Sequence, residues 1–217
     1  TTFTTTDVDD CDTATDSLSG GADQAAVAID ENTGELSFIT APDHESQSSY
    51  EVEVTATDSD GLTDVQTLTV TVNHLKSKGS LSGLDADEAQ GDGQGNNNAS
   101  RTEAASILAD WLASDPTNQN EPDILVLGDL NAYAMEDPIV AFENGGYTDL
   151  LETFEGETRY SYVFDGQWGT LDYGMASSTL LPQVTSAAGY SINADEPRLL
   201  DYNTEFNPIT IYQPNEY

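Results

Sequence analysis

The chain has 217 residues, enough for one large domain or two small ones. Forty acidic residues stand against five basic ones, a formal net charge of -35. A surface charged to that degree stays soluble in salty water and draws cations, while repelling nucleic acid and anionic membranes at long range. A nucleic-acid substrate would need metal ions or salt to screen that repulsion. Cys11 is the only cysteine and excludes an internal disulfide. No apolar run reaches the roughly 18 residues needed to span a bilayer, so no membrane partner is expected. Thr1 opens the chain without a signal peptide and reads as mid-domain sequence. The charge points to a secreted, extracellular protein from a marine or saline setting.

In chain order, residues 1–72 are rich in Thr, Val, Asp and Gly and lack helical periodicity. Short strands are expected over Ala25–Ile29 and Glu35–Ile39, either side of the turn-forming Asp30-Glu31-Asn32-Thr33-Gly34. Strict alternation predicts longer strands over Ser49–Thr57 and Gln66–Val72. Short strands joined by Asp/Gly turns argue an N-terminal all-β sandwich.

Residues 79–99 hold Gly, Asp and Asn with scarcely an apolar side chain, the composition of a solvated, mobile spacer. Ser100 and Glu103 then form a capping-box signature, followed by Ala104, Ile107, Leu108, Trp111 and Leu112 at helical spacing. A second short helix is marked by Asp137-Pro138 at its start and Gly145 at its end. Strands are expected over Ile124–Leu127, Arg159–Phe164 and Thr170–Ala176, so the second region is mixed α/β. The expected division is 1–72 and 73–217.

The most informative stretch is ILVLGDLNAY, Ile124 to Tyr133. An unbroken apolar run leads into Gly128-Asp129-Leu130-Asn131, reading as a buried strand that presents a carboxylate and a carboxamide at its end. A metal-assisted phosphodiester hydrolase needs such a pair: an oxygen ligand for a divalent cation and an amide to hold phosphate or water. By itself, a strand ending in Gly-Asp also fits the plain start of a loop.

Two resemblances sharpen these readings. TDVDDCD (Thr6 to Asp12), IDENTGELSF (Ile29 to Phe38), APDHES (Ala41 to Ser46) and VTATDSDGLTDVQTLTVTV (Val54 to Val72) resemble a bacterial cadherin-like repeat. The resemblance implies an Ig-like sandwich with Ca²⁺ at its ends. Asp7, Asp9 and Asp58 would face a preceding repeat, and Asp43 and Glu45 a following one. Hard carboxylate oxygens suit that ion, and the same Asp residues also suit turns. Neighbouring cadherin-like repeats would be its partners. The opening strand with its glutamate and the closing Asp/Asn-rich linker of that pattern do not appear.

NHLKSKGS (Asn73 to Ser80), GDGQGNNNASRTEAA (Gly91 to Ala105), LADWLASDP (Leu108 to Pro116), ILVLGDLNAYAMEDPI (Ile124 to Ile139), GYTDL (Gly146 to Leu150), YSYVFDGQWGTLDYGMAS (Tyr160 to Ser177) and INADEPRLLDYNTEF (Ile192 to Phe206) resemble, in order, the C-terminal half of the endonuclease/exonuclease/phosphatase superfamily. The wording is nearest to secreted bacterial endonucleases of the ExeM/NucH type. That implies an α/β half of a DNase-like two-sheet sandwich using Mg²⁺ or Mn²⁺. His74 would contact the scissile phosphate or polarise its non-bridging oxygen. Asp129 would help hold the metal or steer the attacking water, and Asn131 would orient phosphate and nucleophile. Asp172 would hold a histidine in the tautomer needed for acid/base work.

The family's Ser-Asp-His segment, its metal-binding glutamate and a cysteine pair around the Gly/Asp loop are not matched; Asn97 takes one cysteine position. Thr67 to Asn73 reads equally as the last strand of the repeat and as the strand entering Asn-His-Leu-Lys, a place where two families join. A strand should not readily complete two different sheets. Half a sandwich should also leave an apolar sheet face bare and prone to self-association. The expectation is therefore a fragment of a secreted, metal-dependent phosphodiesterase acting on DNA or RNA, weak or inactive as it stands. The alternatives are a calcium-binding adhesion module with a passive nuclease-like half, or a phosphoesterase of small molecules or lipids.

Overall fold

A computed structural model describes residues 14–42, 46–47, 49–61, 63–164, 166–191 and 194–195. The N-terminal half is all-β: β1 (Thr15–Gly20), β2 (Val27–Ile29), β3 (Leu36–Phe38), β4 (Ser49–Thr57) and β5 (Thr63–His74). The rest is mixed: α1 (Asn98–Ala113), β6 (Ile124–Asp129), α2 (Asp137–Asn144), β7 (Tyr147–Asp149), α3 (Leu150–Glu155), β8 (Tyr162–Phe164), β9 (Gln167–Gly169) and β10 (Asp172–Ser177).

Both halves contribute to one six-stranded sheet, ordered β1-β4-β5-β6-β10-β7. β5 runs antiparallel to β4 from Thr57↔Thr63 to Ser49↔Thr71, and parallel to β6 from Thr69↔Ile124 to His74↔Asp129. The expected conflict at this strand does not arise, because its two edges are used by different neighbours. The 72/73 division falls inside β5.

Alternation explains how one strand serves two layers. Leu68, Val70 and Val72 are buried on one face with Tyr50, Val52 and Val54 of β4. The β2–β3 hairpin closes over them, with Phe38 edge-on to Tyr50 at 4.9 Å between ring centroids. Leu180 and Val184 extend the same cluster over Leu125 and Ala176. This sheet face is therefore covered, contrary to the bare face expected of half a sandwich. The other face of β6 and β10 packs Ile124, Val126 and Met175 against Ala105, Ala109 and Leu112 of α1 and Ile139 and Phe142 of α2. Burial on both faces is why β6 reads as a continuous apolar run.

Two local expectations are corrected. Ser100 does not cap α1: the helix begins at Asn98 after Asn97, whose φ is 60°, and Ser100 lies in the first turn. Its amide and hydroxyl instead donate to Asp87. The Gly/Asp/Asn segment before α1 is largely exposed but no free spacer, because Asp87 and Asn97 are buried and pin it beside Arg101 of α1. Arg101 donates to the carbonyl oxygens of Lys76 (3.2 Å), Asn96 (2.7 Å) and Gln94 (3.2 Å). Asn97 donates to the Ser77 and Ser80 carbonyls at 2.7 Å each and accepts from the Ser82 amide. Polar composition suggests solvation, whereas most of these polar atoms find partners inside the protein.

Candidate functional site

The parallel and antiparallel registers place three ionisable residues in a row across neighbouring strand ends. His74 of β5 is opposite Asp129 of β6, and Asp129 is opposite Asp172 of β10. His74 Nε2 lies 3.6 Å from Asp129 Oδ2, with the imidazole 64% and the carboxylate 36% exposed. Gly128 makes the close approach possible. Its φ is 129°, and a Cβ there would sit 1.9 Å from the Asn73 carbonyl oxygen. No L side chain fits that space or that backbone.

Beyond the strand, Asn131 adopts a left-handed φ of 49°. Its amide N–H donates to Asp129 Oδ1 at 2.8 Å, and its Nδ2 donates to the Leu75 carbonyl at 3.0 Å. Asn131 thus ties the turn after β6 to the segment leaving β5, with its side-chain oxygen as the group it can offer. Asp172 is exposed, and its amide donates to Ser161 Oγ at 3.0 Å.

Burial raises the Asp129 carboxyl above the usual carboxylate value; the Asn131 N–H opposes that, the Asp172 charge adds to it, and His74 opposes it. Two carboxylates on adjacent strand ends therefore repel, a strain that a cation between them would relieve. Among the described residues no group of three or more His, Cys, Asp or Glu side chains stands ready to hold a metal ion. The hard-oxygen pair fits a divalent ion that keeps most of its own water, as magnesium does.

Asp58, an expected calcium ligand, lies away from the row. Asp58 belongs to the turn between β4 and β5, where its Oδ1 accepts from Asp60 N and its carbonyl from Gly61 N. That is the end of β5 opposite His74. Asp7, Asp9, Asp43 and Glu45 lie outside the described residues.

A clamp beside the row was not foreseen. Glu136, buried to 5% exposure, receives Lys78 Nζ on one oxygen, and Arg101 lies 3.6 Å from the other. Lys78 also sits 4.1 Å over the Tyr133 ring. Loss of solvent lowers the Lys78 pKa, partly offset by Glu136. A lysine spaced two residues from Lys76 carries no sign in sequence that its partner lies 58 residues on.

Comparison with known proteins bears on the half before the row. Residues 1–73 match the cadherin domain family. The cadherin match ends one residue before His74, so the strand that closes the matched segment delivers the first residue of the row. No curated protein matches the chain. Among solved structures, the human Nocturnin catalytic domain with bound sulfate is similar over 76% of this chain and 49% of its own, at 16% identity and a TM-score of 0.36. An endonuclease/exonuclease/phosphatase family protein from Bacteroides thetaiotaomicron overlaps 75% of this chain and 50% of its own, at 12% identity and a TM-score of 0.34. A β-hairpin deletion mutant of beta toxin from Staphylococcus aureus overlaps 75% of this chain and 55% of its own, at 16% identity and a TM-score of 0.40. The chain spans about half the length of these structures.

Proposed function

We propose that residues from His74 onward carry a reduced phosphodiesterase site of the endonuclease/exonuclease/phosphatase kind, joined to a cadherin-like repeat on a secreted chain. The observation that supports it is the register placing His74, Asp129 and Asp172 on three adjacent strand ends, with Asn131 one turn away. In this reading Asp129 holds a hydrated Mg²⁺ or Mn²⁺, which when bound supplies Lewis-acid polarisation of a phosphate oxygen. His74, largely exposed beside Asp129, donates to a non-bridging oxygen and stabilises charge developing there. Asn131 holds the turn and offers its amide oxygen to the attacking water. Asp172 is placed to orient a second histidine. Among the described residues His74 is the only histidine, and His44 belongs to the cadherin-matching segment.

Nucleic acid is the proposed substrate, DNA or RNA, and hydrolysis by these 217 residues should be weak. The test combines Mn²⁺-dependent thermal stabilisation with plasmid nicking. Mn²⁺ should raise the melting temperature of the native protein but not of Asp129→Ala, with nicking near background in both. Robust nicking that Asp129→Ala abolishes would overturn the reduced-site reading.

A second reading, calcium binding by the repeat, is favoured by the cadherin match at residues 1–73. Ca²⁺ should then raise the melting temperature by mass action, independently of Asp129. An unchanged melting curve at millimolar Ca²⁺ would remove it.

A further inference from the structure

The segments that follow Asp129 and precede Asp172 also wall a cavity of about 440 Å³, within the range of small-molecule sites. Tyr133 enters it from the turn after Asn131, and Phe164, Trp168 and Gly169 from the β8–β9 hairpin that leads into Asp172. The walls are fixed to each other. A Cβ on Gly169 would meet the Tyr133 ring at 2.4 Å, and Tyr173 Oη bonds to the carbonyls of both Ala132 (3.0 Å) and Thr170 (3.1 Å).

The lining carries three open aromatic rings beside Met135, Gln167 and the carboxylate of Glu157. Trp168 is 68% and Phe164 54% exposed, far from the usual fate of such side chains. Trp168 is nevertheless braced from one side, where Tyr160 stacks on it at 5.2 Å and an interplanar angle of 23°. Arg159, which also lines the cavity, is bonded to Asp149 and Glu152 and has little charge left to offer. The cavity therefore suits a flat, uncharged ring rather than a phosphate.

We propose that this cavity binds an unpaired nucleobase adjoining a phosphodiester held at His74 and Asp129, making single-stranded nucleic acid the substrate class. The inference rests on the phosphodiesterase reading of the row. Stacking on exposed aromatics accepts any base through its π-face. A base inside a duplex already has both faces covered and must be extruded first. Net charge points the same way: a duplex presents the denser line of phosphates to a chain of net charge -35 and is repelled more strongly.

The experiment uses the full chain with Trp111→Phe, which leaves Trp168 as the single tryptophan. Its fluorescence is followed during titration with adenosine, a short thymidine oligonucleotide, the matching duplex, a base-free sugar-phosphate oligomer and phosphatidylcholine vesicles. Adenosine and the single strand should quench saturably, with the duplex and the base-free oligomer at least about tenfold weaker. Binding of a labelled single strand by anisotropy should weaken about tenfold in Trp168→Ala and in Phe164→Ala, the loss of one stacked base. Equal binding of duplex and single strand, unchanged affinity in both variants, or quenching by vesicles without quenching by adenosine would overturn the proposal. Adenosine carries no phosphate, and Mn²⁺ stabilisation requires no base, so the two readings fail separately. Absent adenosine quenching with intact Mn²⁺ stabilisation removes the nucleobase cavity alone. Adenosine quenching without Mn²⁺ stabilisation upholds the cavity and removes the metal-holding row.

Discussion

His74 and Asp129 occupy the last paired position of the parallel β5–β6 ladder, with Nε2 and Oδ2 3.6 Å apart. That position sets the ionisation of Asp129, which is half-buried beside one carboxylate neighbour and one imidazole.

Asp129→Asn should stabilise the fold at neutral pH. The folded-state carboxyl titrates above the usual 3.8, so the native state holds its proton to higher pH than the unfolded chain does. Within that window the native state binds more protons, and this group's contribution to stability falls as pH rises through it. The amide can keep the bond from Asn131 N and carries no charge beside Asp172. Calorimetry should show a melting temperature higher by roughly 2–4 °C than the native protein at neutral pH. The difference should vanish below pH 3.8. A variant that melts lower at neutral pH would contradict the repulsion.

Gly128→Ala should be severely destabilising. The new Cβ meets backbone at 1.9 Å, and neither Asn73 nor the strand can yield without breaking the ladder. About 3 kcal/mol or more of unfolding free energy should be lost, measured in urea. Alanine at Gly79, whose Cβ would meet nothing within 4 Å and whose backbone is not left-handed, should cost much less.

Arg101→Met should loosen the segment between β5 and α1. The substitution leaves the carbonyls of Lys76, Gln94 and Asn96 without their donor and removes one cation from buried Glu136. A cost of about 2–3 kcal/mol follows from leaving buried acceptors unpaired, while Lys78 remains on Glu136. Limited proteolysis should then cut between residues 79 and 97 in the variant before the native protein is touched.

The two halves should unfold together. Both tryptophans, Trp111 and Trp168, lie after β5, whereas far-UV dichroism reports the N-terminal strands as well. Urea transitions by the two probes should coincide. Separate midpoints would show that β5 does not couple the halves.

Local pattern made much of this legible. The period of two in β4 and β5, the apolar run of β6 and the Pro/Gly limits of α2 each report on a few consecutive residues. Those signals placed β4 to the residue and kept Asp129 and Asn131 together at a strand end. β1 and α3 escaped notice because Thr15–Gly20 has only one buried position and Leu150–Glu155 is too short for a helical period. The capping box failed because the helix starts two residues earlier, at Asn98, leaving Ser100 in its first turn to donate to Asp87, 13 residues away. The fate of Arg101, the Glu136 clamp and the open aromatic cavity all depend on partners far along the chain, which no window of sequence contains.

β5 is also a rigid rod joining two ends of the molecule. Its first residue follows the turn that holds Asp58, and its last is His74, about 36 Å away for a strand of this length. Tension on the cadherin-matching segment would run along that rod and load the β5–β6 ladder in shear. A slip of one residue would carry His74 about 3.3 Å past Asp129 and turn its ring to the opposite face. The spacing between imidazole and carboxylate is in that sense a strain gauge for whatever pulls on the repeat.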